Sequence, residues 1–179
     1  MPRELDAPEL ERSYRLDRDP EARETVRRVA AEVLETMFFT EAEEAPCDHI
    51  WLEIASCARI RFEGSHFGEM LLGISVEAAD PIAASFLGIE AEELTDALRG
   101  QMVEELANIL CGAMLSQLWP ASTLALTSPE LSPWMSWPAE GTLHCCFATP
   151  EGRLAISIRL TSGRGLPGAV SAGARPLTE

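Results

Sequence analysis

Between Ala58 and Glu63 the chain alternates without exception: Ala58, Ile60 and Phe62 are apolar, and Arg59, Arg61 and Glu63 are charged. A period of two sends these sets to opposite faces of an extended backbone, so the segment reads as a strand with one face in a core. The alternation recurs near the C-terminal end, with Leu143, Cys145 and Phe147 in one run and Leu154, Ile156, Ile158 and Leu160 in another. Pro150-Glu151-Gly152 supplies the turn between those two runs. Gly64 to Gly68 has hairpin-loop length with glycine at both ends, which makes Glu69 to Ser75 the partner strand of the first run. Ile50 to Ile54 and Ser122 to Thr127 are candidates for shorter strands.

The remaining pattern is helical. Val26, Val29, Ala30, Val33, Leu34 and Met37 recur at spacings of three and four, predicting a helix from Glu21 to near Phe38-Phe39, followed by an acidic loop from Glu41 to Cys47. Glu77 to Leu87 predicts a short helix with Pro81 near its start and Gly88 as its C-cap. Ala91 to Leu118 predicts a longer one, loosened at Gly100 and stopped by Trp119-Pro120. Ser128 to Gly141, with three prolines and two tryptophans, reads as irregular loop. Helix, hairpin, helices and then strands, without a βαβ rhythm, predict an α+β fold with a mainly antiparallel sheet and long helices packed on one face. The 179 residues suit one domain over 20–160, between a flexible N-terminal arm at 1–19 and a flexible Gly-, Ser-, Pro- and Ala-rich tail at 161–179.

A formal net charge of −15 argues against nucleic acid or an anionic membrane surface as a partner. Every apolar stretch is broken well short of a membrane span. The five cysteines, Cys47, Cys57, Cys111, Cys145 and Cys146, have no regular spacing, and Met1-Pro2-Arg3-Glu4 does not read as a secretory leader. Reduced thiols in a cytoplasmic protein are expected.

On the long helix, Val103, Leu106, Ala107, Leu110 and Met114 form an apolar stripe facing the core. Gln101, Glu105, Asn108 and Gly112 fall on another strip at spacings of four, three and four, so their side chains are neighbours. Gly112 leaves room for something to approach. Most Glu-x-x-Asn spacings on helices are solvated surface, and that bland account starts as the favourite. Against it, Asn is a mediocre helix former, and Asn108 is the only Asn in the chain.

Glu105-Leu-Ala-Asn108-Ile-Leu-Cys-Gly112 resembles the phosphatase signature helix of the CheC/CheX/FliY chemotaxis phosphatase family. Ala58 to Gly64, Gly68 to Ser75 and Ala78 to Gly88 resemble that family's hairpin and following short helix, and the likeness spans roughly residues 22 to 160. With one Asn there is one motif, which resembles the CheX type rather than the CheC type with its two related helices. The resemblance implies a CheX-like phosphatase acting on the aspartyl phosphate of a CheY-type response-regulator receiver. It implies that Asn108 positions the attacking water and that Glu105 docks against a lysine of the receiver, with Gln101 and Gly112 as partner contacts. It further implies a homodimer, and no cofactor or metal of the chain's own, the Mg²⁺ being held by the partner receiver. The family pattern often has Asp or Ser where this chain has Gln101, and a downstream proline for which Pro129 and Pro133 are the candidates. A non-catalytic CheX-like module that binds a receiver or a motility component is the alternative.

Other candidates have plainer explanations. In His144-Cys145-Cys146 the first and third residues point opposite to the second on a strand, and no second cluster has metal-ligand spacing, so ordinary packing is expected. Cys111 reads as packing, His66 as a loop residue, and Trp119, Trp134 and Trp137 as cover for a sheet edge or loop. Glu41, Glu43 and Glu44 read as solvated. Gly64 and Gly68 make no phosphate loop, since no Gly-Lys-Ser/Thr follows.

Overall fold

The computed structural model describes residues 15–48, 53–132 and 140–161. Among them are three α-helices, α1 (Pro20–Phe38), α2 (Val76–Leu87) and α3 (Asp96–Leu118), and short 3₁₀ turns at Leu16–Arg18 and Ala91–Glu93. The strands are β1 (Glu43–Ala45), β2 (Ile54–Gly64), β3 (Gly68–Ser75), β4 (Leu124–Leu126), β5 (Glu130–Ser132), β6 (Thr142–Ala148) and β7 (Arg153–Leu160). They form one antiparallel sheet in the order β1-β6-β7-β3-β2-β4, with β5 also pairing β2. The α+β architecture with helices on one face is as expected.

Cross-strand register explains the one-sided core. Ile60 pairs Met70, Met70 pairs Ile158 and Ile158 pairs Leu143, so directly opposed residues continue the apolar face from strand to strand. These residues are buried together with Val26, Ala30 and Leu34 of α1, Ala79 and Ile82 of α2, and Val103, Leu106 and Leu110 of α3. The opposite parity carries Glu69, Ser157 and Thr142, all buried polar residues, with Arg159 donating from Nε to Glu69 at 2.8 Å.

Helix ends follow local chemistry. Asp19 accepts from the Glu21 and Ala22 N–H groups, and Pro20 needs no partner at the first helical position. Gly88 takes a left-handed conformation (φ 65°) to end α2. Phe39 adopts the same region at the end of α1, φ 55°, and its side chain is 76% exposed.

Several expectations are corrected. Leu16 is only 1% exposed, so the expected loose arm at 1–19 joins the core by that residue; 1–14 and the expected tail from 162 lie outside the described residues. The expected acidic loop contains β1, which pairs Glu43, Glu44 and Ala45 with Ala148, Phe147 and Cys146. Of the expected strand Ile50–Ile54, residues 50–52 lie outside the described residues and Ile54 opens β2. The long helix begins at Asp96, because Thr95 breaks away from Ala91–Glu93 and caps the Leu98 N–H. Gly100 does not loosen the helix; it lies buried within it, under Leu131. The expected loop Ser128–Gly141 holds β5, and its residues 133–139, with Pro133, Trp134 and Trp137, lie outside the described residues.

The expectation of reduced cysteines is also corrected. Cys47 and Cys146 form a disulfide with Cα atoms 5.3 Å apart, across 99 residues of sequence. The pairing is a consequence of β1 lying beside β6, which no local spacing announces. Cys57, Cys111 and Cys145 are free and buried.

Leu106 is wholly buried between α3 and the sheet. Leu106→Ala is expected to lower unfolding free energy by about 2–5 kcal/mol in urea titrations. A loss under about 1 kcal/mol would contradict the packing described.

Candidate functional site

Helix α3 is fixed at both ends. In its first turn Arg99 pairs with Asp80 of α2 and donates from Nη1 to Asp96 at 2.5 Å. At its far end Trp119 stacks on His66 of the β2–β3 loop, ring centroids 4.3 Å apart, and packs at a tilt on Phe62. His66 is therefore a packing residue of that loop, and Trp119 covers the loop, one of the two placements expected. Between the ends, Val103, Leu106, Ala107, Leu110 and Met114 are buried, so the helix cannot rotate without exposing its apolar side.

That anchoring decides where the strip points. Gln101 and Glu105 are exposed, and Asn108 and Gly112 are half-buried. Glu105 and Asn108, one turn apart, are neighbours on the surface. Among the described residues the Asn108 carboxamide has no hydrogen-bond partner, and neither does the Glu105 carboxylate. One carboxamide with donor and acceptor capacity is thus held on a rigid helix beside an acceptor-only carboxylate. Together they can hold a water and receive a cationic or N–H donor from a partner.

Gly112 opens as expected: a Cβ there would touch only Leu126 Cδ1, at 4.0 Å. An open cavity of about 150 Å³ lies beside it, lined by Gly112, Leu115, Ser116, Ser122, Leu124 and Leu126. Sequence reasoning did not single out Leu126 and Leu131, which are 36% and 52% exposed on β4 and β5. A leucine in a three-residue strand has no periodic context to mark it.

The competing sites divide. Cys111 is buried and its thiol is pushed up to about 12 by desolvation, so it is protonated near neutrality and no nucleophile. Cys145 lies in the main core, whereas Cys146 is on the opposite face in the disulfide, so packing alone does not account for it. His144 Nδ1 lies 2.8 Å from Ser157 Oγ, and burial lowers its pKa. Among the described residues no three His, Cys, Asp or Glu side chains group to hold a metal ion. No helix among them is long and apolar enough to cross a membrane.

The free cysteines carry a prediction. Desolvation pushes Cys57 to about 12 and Cys145 to about 11, so their thiolates form only as pH rises far above neutrality. Iodoacetamide applied to the native chain at about pH 8 is expected to leave Cys57, Cys111 and Cys145 unmodified by mass spectrometry. All three should react once the chain is denatured. Rapid native alkylation of Cys111 would contradict its burial.

The family model described as chemotaxis phosphatase CheX matches residues 56–133, a segment running from β2 through α3 to β5. No curated protein sequence matches the chain. CheX from Vibrio vulnificus shares the fold with a TM-score of 0.65 at 18% identity, over 79% of this chain and 97% of its own. CheX from Desulfovibrio desulfuricans does so with a TM-score of 0.63 at 16% identity, over 79% and 99%. A chain of the CheX–CheY–BeF₃–Mg²⁺ complex from Borrelia burgdorferi gives 0.56 at 19% identity, over 76% and 96%. Over its matched segment the chain is similar to the CheX family, and it shares the fold of these CheX proteins.

Proposed function

We propose that this chain hydrolyses the aspartyl phosphate of a CheY-like receiver, with Asn108 orienting the attacking water and Glu105 docking the partner. The observation that carries this reading is the placement of Glu105 and Asn108. They are side by side on an immobilised helix, reachable from solvent, with polar groups not engaged by the rest of the described residues. The family description and the Borrelia complex of CheX with CheY support the class of partner.

In the proposed reaction the water oxygen attacks phosphorus as the bond to the receiver's aspartyl oxygen breaks, giving inorganic phosphate and a free carboxylate. Phosphoryl transfer passes through a loose transition state, so positioning supplies much of the acceleration. The Asn108 carbonyl oxygen accepts a hydrogen bond from the water and holds it in line. Being neutral, it adds no negative charge beside the phosphoryl group. The Glu105 carboxylate accepts from the ammonium of a receiver lysine and sets the helix against the site. Gln101 and Gly112 complete the partner contact, Gln101 by hydrogen bonding without charge. Mg²⁺ belongs to the receiver and neutralises phosphoryl oxygens there; the chain itself requires no cofactor. A cytoplasmic homodimer is part of the same reading, as is a single CheX-like domain, with Leu16 of the expected N-terminal arm packed into its core.

A specific observation keeps a second reading in view: Gln101, where the family often carries Asp or Ser, is exposed on the same strip. A chain altered there could bind a receiver without hydrolysing its phosphate.

Loss of phosphate from a phosphorylated receiver separates the two. The native chain is expected to accelerate it, and Asn108→Ala to lower kcat at least about tenfold, a barrier change of about 1.4 kcal/mol. Glu105→Gln should chiefly raise KM. Tight binding without acceleration for every receiver tried would replace the enzyme with the binding module.

A further inference from the structure

The sheet edge beside α3 contains a break in register. Leu126 pairs Phe62 and Leu131 pairs Ala58, so five residue steps on the β4–β5 side oppose four on β2. One extra residue is a bulge, and it reverses the alternation of sides. Without it, residues five apart would face opposite ways; with it, Leu126 and Leu131 both lie on the helix face, because Phe62 and Ala58 do. Thr127 holds the bulge: its N–H donates to the Arg61 carbonyl at 2.9 Å, and its Oγ1 accepts from the Arg61 N–H at 3.1 Å.

The two leucines meet α3 at its two glycines. A Cβ on Gly100 would come within 2.8 Å of Leu131 Cδ1, and one on Gly112 within 4.0 Å of Leu126 Cδ1. Gly100, Glu104, Asn108 and Gly112 recur every four residues, a single stripe about 18 Å long at 1.5 Å per residue. Glu104 and Asn108, both half-buried, therefore lie on the stripe between an apolar contact at each end. Glu105 stands one residue round the helix, toward solvent. The cavity at the Gly112 end has a volume in which a benzene-sized apolar group fits.

We infer that the receiver docks along this channel between α3 and the bulged β4–β5 edge, with Leu126 and Leu131 as apolar anchors on either side of Asn108. The cavity at Gly112 takes an apolar side chain of the receiver, and Glu104 adds a second carboxylate beside Glu105 for its cationic groups. This inference rests on the receiver reading above and specifies the surface that fixes partner choice. Charge supports that occupant over a second copy of this chain, since two copies would bring Glu104 and Glu105 against like charge in a molecule of formal net charge −15. The exposed leucines provide burial at the rim while the carboxylates select a basic partner surface.

The test measures KM and kcat for a phosphorylated receiver that the native chain dephosphorylates, and Kd for the same receiver carrying BeF₃⁻. The L126S/L131S double variant and, separately, Gly112→Leu, which fills the cavity, are expected to raise KM and Kd at least about tenfold with kcat within about twofold. Glu104→Gln should raise both constants less, and lose part of the salt dependence of binding. Circular dichroism and urea midpoints near native values show that each variant is folded. If both leucine and Gly112 variants keep native KM and Kd while Asn108→Ala abolishes turnover, the docking channel is wrong and the phosphatase reading stands. If the native chain neither dephosphorylates nor binds any receiver, both fall together.

Discussion

Everything at the candidate site depends on the burial of one side of α3 against β2. Val103, Leu106, Ala107, Leu110 and Met114 are essentially inaccessible, and their removal from water is worth roughly 1.5–3 kcal/mol for each large side chain. Rotating the helix by one residue would turn it through about 100° and carry Glu104 and Asn108 into the core in one sense, or Glu105 in the other. The hydrophobic effect thereby settles the direction of the polar strip without any polar group having to hold it. Thr95, Arg99 and the Trp119–His66 stack add stops at the ends, so a carboxylate and a carboxamide project from a support that does not have to be organised by the partner. Positioning of this sort is what a reaction with little covalent chemistry for the protein requires.

The same edge of the sheet shapes the approach to that strip. β2 is long enough to pair β3 on one side and both β4 and β5 on the other. Pro129, without a donor, sits in the bulge between the two short strands, where a proline is tolerated. The bulge also protects the edge from pairing with another chain by interrupting its ladder. On the far side of the molecule β1 covers β6 and is tied to it by Cys47–Cys146, a closure of a long loop that restricts the unfolded chain.

Much of this was legible in the chain itself, and the reasons for the rest are physical. Strands β2, β6 and β7 announce themselves because each is long enough for a period of two to repeat, β3 because a loop of hairpin length joins it to β2, and α1 and α3 because their apolar residues return every three or four positions. Glu105 and Asn108 could be placed on one surface from helical geometry alone, and the structure puts Glu105 in solvent and Asn108 at its margin. β1 and β5 escaped because three residues hold no period, and each exists only through pairing with a distant strand. The disulfide escaped for the same reason, its partners being adjacent only once β1 lies on β6. Leu126 and Leu131 could not be assigned to one face, since that depends on a bulge that local sequence does not encode. The break before Asp96 had a local signal, Thr95 three residues ahead of Leu98, outweighed in the pattern by the apolar spacing on either side.

Because Asn108 is the only asparagine, labelling the chain with ¹⁵N-asparagine gives one side-chain amide pair in an NMR spectrum, a direct probe of the central claim. That pair should shift or broaden on titration with a CheY-like receiver carrying BeF₃⁻ and Mg²⁺, and far less with the same receiver unactivated. An unchanged amide pair in a chain demonstrably bound to the activated receiver would mean that docking occurs elsewhere, and that Asn108 is not at the phosphoryl group.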